Sequence, residues 1–318
     1  MLEKIADYIR NNKKILEKEE LNPIVDFINT KSFKSSRIFS DIGQDSAAID
    51  NNNEMYTLVT TDRIKTSYIE QFPFGAGFSS ILVGVDDIYA CGGKPLAATI
   101  IISFKEHEIG QKMISGICNG SNKFKVPIIR GHTHMKDYYE LSSTIIGEIK
   151  KSDYIPADNA LGGDNIILAC DFDGQLGRAS NLHWDTVTHK SSEEVLNKRL
   201  AMNIIARRHL ANSSKDISNG GIFGTILQLI KYSKVGATIN VNRIVIPPKL
   251  VEIGYDLENY VEMFLTTSYI LTAPDKTFQD VLKIFRDHSM FAAVIGKIRN
   301  ESELIINDDN GSIKVVEF

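Results

Sequence analysis

The chain has 318 residues, of which 43% are hydrophobic and 24% charged, with a net charge of -4. That balance is ordinary for a soluble globular chain with room for two packed domains, and it leaves no basic field to recruit nucleic acid. Its longest apolar runs, such as Ala98 to Phe104, reach strand length and fall far short of the roughly 20 residues a membrane span needs.

The start, MLEKIADYIRNNKK, is charged and lacks a signal-peptide apolar stretch. Cys91, Cys118 and Cys170 are scattered without metal-type spacing, which predicts buried thiols in a reducing cytoplasm. Residues 1 to about 30 read as two short amphipathic helices, carried by Leu2, Ile5 and Ile9 and then by Ile24, Phe27 and Ile28, and split at Asn22-Pro23. Asp41 to Ile49 ends as a strand before the Asn51 turn, and Met55 to Asp62 is a β-rich run ending in hydroxyls and a carboxylate.

The stretch Ser79 to Ala97, SSILVGVDDIYACGGKPLA, combines an apolar stripe (Phe78, Ile81, Leu82, Val85, Ile88, Tyr89) with two adjacent carboxylates. At about 100° per residue, Asp87 falls nearly opposite that stripe, and Gly92, Gly93 and Pro95 stop the helix. Leu96 to Phe104 then reads as a buried strand, Glu108 to Lys123 as a helix, and Val126 to Arg130 as a strand leading into Gly131-His-Thr-His134. The run to Ile149 closes an amino-terminal domain, residues 1–150. Lys150 to Gly163 shifts to a Pro, Asp and Gly composition and serves as the linker to a carboxy-terminal domain, residues 151–318. Its elements are Asn165 to Cys170, Ser192 to Ala211, Ile222 to Lys231, Gly236 to Val241, Tyr269 to Thr272, Thr277 to Phe285 and Ala292 to Ile298. Strands alternating with long helices predict α/β and α+β layers.

Phosphoryl transfer from a nucleotide places divalent metal between phosphate oxygens and protein carboxylates, so its trace is several Asp residues on separate loops. Asp45, Asp62, Asp87 and Asp216 answer to that description, each at an element edge beside small or hydroxyl residues. The common phosphate-loop, kinase glycine-loop and Rossmann patterns are absent. His132, His134, His183 and Asp185 form an alternative transition-metal set, Trp184 reads as packing, and Lys94 as a solvated lysine within reach of a phosphate.

The segments Gly43-Gln-Asp-Ser-Ala-Ala-Ile49, Thr60-Thr-Asp62, Val83-Gly-Val-Asp-Asp-Ile-Tyr-Ala-Cys-Gly-Gly-Lys-Pro95, Gly131-His-Thr133 and Lys215-Asp-Ile-Ser-Asn-Gly-Gly221 occur in one order over nearly the whole chain. Together they resemble the aminoimidazole ribonucleotide (AIR) synthase superfamily, which includes thiamine monophosphate kinase, selenophosphate synthetase and a hydrogenase-maturation enzyme. Gly131-His-Thr-His134, His183-Trp-Asp-Thr186 and the Lys215 motif resemble its AIR-synthase-related branch.

The resemblance implies a two-domain fold whose amino-terminal sheets join two copies into a dimer barrel, with ATP and Mg2+ bound between the domains. It implies metal ligation by Asp45, Asp62, Asp87 and Asp216, with Asp87 and Asp216 catalytic. Thr60, Thr61, Gly131, His132, Ser218 and Asn219 would line the nucleotide site. The implied activity is ATP- and magnesium-dependent phosphoryl transfer to, or phosphate activation of, a small-molecule acceptor. Thiamine monophosphate kinase, purine-pathway cyclo-ligase and a non-catalytic ATP-binding regulator are the alternatives.

Three departures bear on that choice. Gln44 stands where the kinase has the first of two acids, His132 where it has an Asp, and Gly84 where an Asn commonly precedes the central Asp, predicting one open side to the site. No cysteine precedes Asp41 as in selenophosphate synthetase, and the chain ends in Val315-Val-Glu-Phe318 rather than a cysteine tail.

Overall fold

Alternating burial along Met55–Arg63 and Glu140–Lys150 gives the two central strands of the first half one face toward the core. The computed structural model describes residues 1–20 and 22–318, and the elements below are those among the described residues. An amino-terminal arm of α1 (Leu2–Asn11), α2 (Lys13–Glu20) and α3 (Asn22–Lys31) precedes β1 (Ile38–Ser40), β2 (Ala47–Asp50), β3 (Met55–Arg63), α4 (Thr66–Gln71) and α5 (Pro73–Ala90). Next come β4 (Lys94–Phe104), α6 (His107–Phe124), β5 (Ile128–Met135) and β6 (Glu140–Lys150). The second half runs through β7 (Asn165–Cys170), β8 (Gln175–Gly177), β9 (Ser180–Asp185), α7 (Ser192–Arg207), β10 (Ser213–Asp216) and α8 (Gly221–Ser233). It continues with β11 (Gly236–Asn240), α9 (Pro248–Glu252), α10 (Leu257–Val261), β12 (Phe264–Leu265), β13 (Ser268–Ala273), α11 (Phe278–Asp287), β14 (Phe291–Arg299), β15 (Glu303–Asn307) and β16 (Ser312–Glu317).

The first sheet has the order β1-β2-β3-β6-β4-β5, antiparallel except for β4 and β5, which run parallel through the α6 crossover. The second has the order β10-β13-β7-β14-β11-β15-β16, and β12-β9-β8 form a small third sheet. None of the described helices is long and apolar enough to cross a membrane.

Helix α5 is buried against the first sheet on one side and α6 on the other. The two helices meet backbone to backbone, because a Cβ on Gly77 would sit 2.0 Å from the Met113 carbonyl oxygen and one on Gly116 equally close to that of Phe74. Gly116→Ala therefore forces the helices apart and costs about 2–3 kcal/mol, an overpacking penalty, read as a lower urea midpoint. An unchanged midpoint would show that the crossing relaxes freely.

The core does not divide at the linker. Leu58, Ile81, Ile88 and Ile145 of the first half share one apolar cluster with Met202, Ile205, Tyr269, Leu271 and Phe285 of the second. Although α1 precedes the first sheet in sequence, its Ile5, Ala6 and Ile9 are buried with the second-half cluster. Arg10 fastens it there by donating to the Lys314 and Val315 carbonyls at 2.8 and 3.0 Å.

Several expectations change at the surface. Within the chain the first sheet is open, with β1 and β5 at its edges. Edge strand β5 is exposed along its length, on both faces, and in the neighbouring β4 Leu96 and Ile101 are exposed as well. The arm holds three helices rather than two. Its third does open at Asn22-Pro23, where a helix's first turn tolerates proline, but Ile24, Phe27 and Ile28 are exposed. Cys118 is also exposed, whereas Cys91 and Cys170 are buried.

Candidate functional site

A cleft of about 750 Å³ lies between the halves. Its floor is the carboxylate set, each member delivered by a different element: Asp45 from the loop before β2, Asp62 from the end of β3, Asp87 from the last turns of α5, and Asp216 from the end of β10. Three of them, Asp45, Asp87 and Asp216, offer oxygen atoms that all lie within 4.8 Å of one another. Among the described residues this is the group of His, Cys, Asp or Glu side chains that could hold a metal ion. An all-oxygen carboxylate set suits a hard divalent cation such as magnesium.

The electrostatics agree with the geometry. Burial, then the charges of Asp62, Asp216 and Asp45, pushes the Asp87 carboxyl well above the usual range, and the Thr60 hydroxyl, donating to Asp87 Oδ2 at 2.6 Å, only partly offsets this. Asp62 is also raised, chiefly by burial, and its Oδ2 is buried without a hydrogen-bond partner. Like charges held this close favour protonation or a cation between them.

Lysine 215, next to Asp216 in β10, faces the same cluster. Its Nζ forms a close ion pair with Asp45 Oδ1 and donates to the Gly43 carbonyl at 3.3 Å, while the Asp216 N–H donates to Asp45 Oδ2 at 3.0 Å. Burial pulls this ammonium down, but Asp45, then Asp216 and Asp87, raise it above its ordinary value. In the sequence Lys215 stands only as the first residue of the motif Lys215 to Gly221, with no role legible from its neighbours. Arg63 and Lys65, which follow Asp62 in the run Thr60-Thr-Asp-Arg-Ile-Lys65, also line the cleft and were missed; three cations beside an acid set were the available signal.

The other expected residues divide. Thr60 lines the cleft, as do Ser218 and Asn219 in the loop between β10 and α8. Thr61 borders it, but its hydroxyl pairs with that of Thr144 at 2.9 Å on the opposite face of β3. Gly131 and His132 do not line it; they lie on exposed edge strand β5, where His132 and His134 are in direct ring contact. The transition-metal set is not brought together. His183 lines the cleft against Phe264, with its imidazole pulled toward neutrality by burial. Asp185 instead accepts from the Val187 and Thr188 N–H groups at 2.9 and 3.0 Å. Trp184 is packing, its Nε1 donating to the Asp171 carbonyl at 3.0 Å. Lys94 is exposed on β4, away from the cleft.

Two departures acquire physical accounts. Gln44 turns its Oε1 toward the linker, accepting from the Ala157 N–H at 2.6 Å, so the residue in place of an acid ties the linker to the Asp45 loop. Gly84 does not leave an open side: a Cβ there would lie 2.5 Å from Ile145 and 3.2 Å from the Thr60 methyl, so helix and sheet already fill that space.

Two mixed α/β halves meeting at an acid-floored cleft define the architecture. The chain belongs to the AIR synthase related family: the model of its N-terminal domain matches residues 43–149, and that of its C-terminal domain residues 163–309. An uncharacterised protein of Methanocaldococcus jannaschii is 36% identical over 320 residues, spanning 100% of this chain and 97% of the relative. A thiamine-monophosphate kinase of Buchnera aphidicola is 26% identical over 268 residues, 79% of this chain and 81% of that one. Among solved structures, AaThiL complexed with AMPPCP and TMP has a TM-score of 0.68 at 19% identity, covering 93% of this chain and 97% of that one. Thermotoga maritima PurL complexed with ATP has a TM-score of 0.73 at 12% identity. There 87% of this chain is covered, but it spans only 47% of the PurL chain. At these identities the structures establish a shared fold.

Proposed function

We propose that the protein binds ATP with magnesium in the cleft and transfers a phosphoryl group to, or activates with phosphate, a small-molecule acceptor. The convergence of Asp45, Asp62, Asp87 and Asp216 from four elements carries this reading. Thiamine-monophosphate kinase relatives and the nucleotide-bound neighbours support it. In this reading Asp45, Asp62, Asp87 and Asp216 surround the magnesium site, with Asp45, Asp87 and Asp216 the three whose oxygens lie within 4.8 Å of one another, and the metal would screen phosphate charge. The chain's own residues position the reactants: Thr60 orients Asp87, the loop at Ser218 and Asn219 faces the phosphates, and Arg63 and Lys65 add positive charge at the rim.

The test is calorimetric. A non-hydrolysable ATP analogue binds the wild type only with magnesium, and Asp87→Ala abolishes that binding; unchanged affinity in the variant would remove the assignment.

The same reading divides the chain into domains at 1–150 and 151–318, with the α1 arm carried on the second. It also joins two copies through their first sheets. The unpaired edge β5 and its apolar neighbours, with Ile101 47% and Ile129 61% exposed, support that arrangement. Gly131 and His132 then belong to the subunit interface rather than to the chain's own cleft.

A further inference from the structure

We propose that Lys215 is a resident cation of the carboxylate cluster, its ammonium standing at Asp45 in place of a divalent ion, so that the site gathers one metal ion fewer than its four acids would otherwise hold. This rests on reading the cleft as a metal and phosphate site.

Both Asp45 oxygens are engaged within the protein, Oδ1 by the Lys215 ammonium and Oδ2 by the Asp216 N–H at 3.0 Å. The charge of Asp45 is therefore matched, and one acceptor site on each of its oxygens taken, before any metal arrives, although its carboxylate lies in the same 4.8 Å cluster as Asp87 and Asp216. Neither partner can readily leave. The two side chains are 7% and 5% exposed, and separating them would strand a charge in a nearly dry site.

A lysine ammonium is a compact point charge with three donors, which suits it to stand where a small cation would. It holds carboxylate oxygens at about 2.7–2.9 Å, against about 2.0–2.1 Å for magnesium. Unlike a metal ion, it cannot be stripped by a chelator. It also links the halves, since Asp45 precedes β2 of the first sheet and Lys215 lies in β10 of the second.

The experiment counts Mn2+ ions bound to the chelator-treated full chain without nucleotide, by electron paramagnetic resonance with calorimetry. Lys215→Met should bind one more ion per chain than the wild type, because Asp45 becomes free to ligate. Lys215→Met/Asp45→Asn should return to the wild-type number, and Asp45→Asn alone should leave that number unchanged. Circular dichroism checks the fold of each. If Lys215→Met alone fails to fold, the Asp45→Asn arm still decides, because losing an ion there overturns the proposal. An equal number of ions in Lys215→Met and wild type overturns it too, whatever the affinity. Should the wild type hold no Mn2+ that Asp87→Asn removes, the cleft reading falls and the proposal with it.

Discussion

Replacing Asp87 with asparagine is expected to raise the thermal midpoint of the metal-free protein at neutral pH while abolishing its stabilisation by magnesium and nucleotide. The folded Asp87 carboxyl sits well above its ordinary value, through burial and then Asp62, Asp216 and Asp45. A carboxyl whose folded pKa is raised binds its proton more tightly in the native state. Its contribution therefore favours folding at low pH and turns unfavourable as pH rises from the ordinary carboxylate value of 3.8 through the raised folded value. Asparagine keeps an acceptor for the Thr60 hydroxyl and removes the charge, so the gain should be absent near pH 4 and present at pH 7. Each 1 kcal/mol gained corresponds to about 1.5 °C for a chain of 318 residues, at about 2.1 cal/mol/K of unfolding entropy per residue. Proton competition also makes metal binding tighten with rising pH, releasing protons. Midpoints of wild type and variant across pH, with and without magnesium, check all of this. A gain independent of pH, or a variant still stabilised by magnesium, would contradict the argument.

The second large effect lies one residue away, on the side of α5 that faces the second half. Asp86 accepts from Arg199 Nε at 2.7 Å; Arg199 is fully buried, lies 5.0 Å from the Phe124 ring centre, and also donates to the Val195 carbonyl at 3.1 Å. Burial raises the Asp86 carboxyl, and Arg199 opposes that rise. Removing one partner of such a pair leaves an uncompensated buried charge and costs about 3–5 kcal/mol, whereas replacing both by apolar groups of similar volume is often neutral. Arg199→Met should therefore lower the urea midpoint sharply, and Asp86→Leu/Arg199→Met should recover most of the loss. Because the pair anchors the turn that carries Asp87, Arg199→Met should also weaken ligand binding. A double variant as unstable as the single would show that packing, and not charge, makes the site costly.

What could be read along the chain was local. The β-rich run at Met55, the apolar stripe and Gly-Gly-Lys-Pro stop of α5, and the buried run Asn165 to Cys170 each have a short-range period that survives folding. The four acids stood out because each stands at or near the edge of an element and the motifs around them come in one order. The third sheet and strands β15 and β16 were missed, since short strands and tight connections leave little periodic signal. Gln44 and Gly84 were read as gaps in the site; their partners, Ala157, Ile145 and Thr60, lie far away in sequence or on another element.

By itself, then, the sequence determined the order of elements, the family pattern and which carboxylates are candidates, because these depend on residues within a few turns of one another. The tertiary structure alone decided that Asp86 faces Arg199 while Asp87 faces Thr60, and that Gly131 and His132 stay on an exposed edge. It alone brought Lys215 onto Asp45 across 170 residues of chain. Those outcomes depend on which charges are buried together, and burial is set by how the two halves pack.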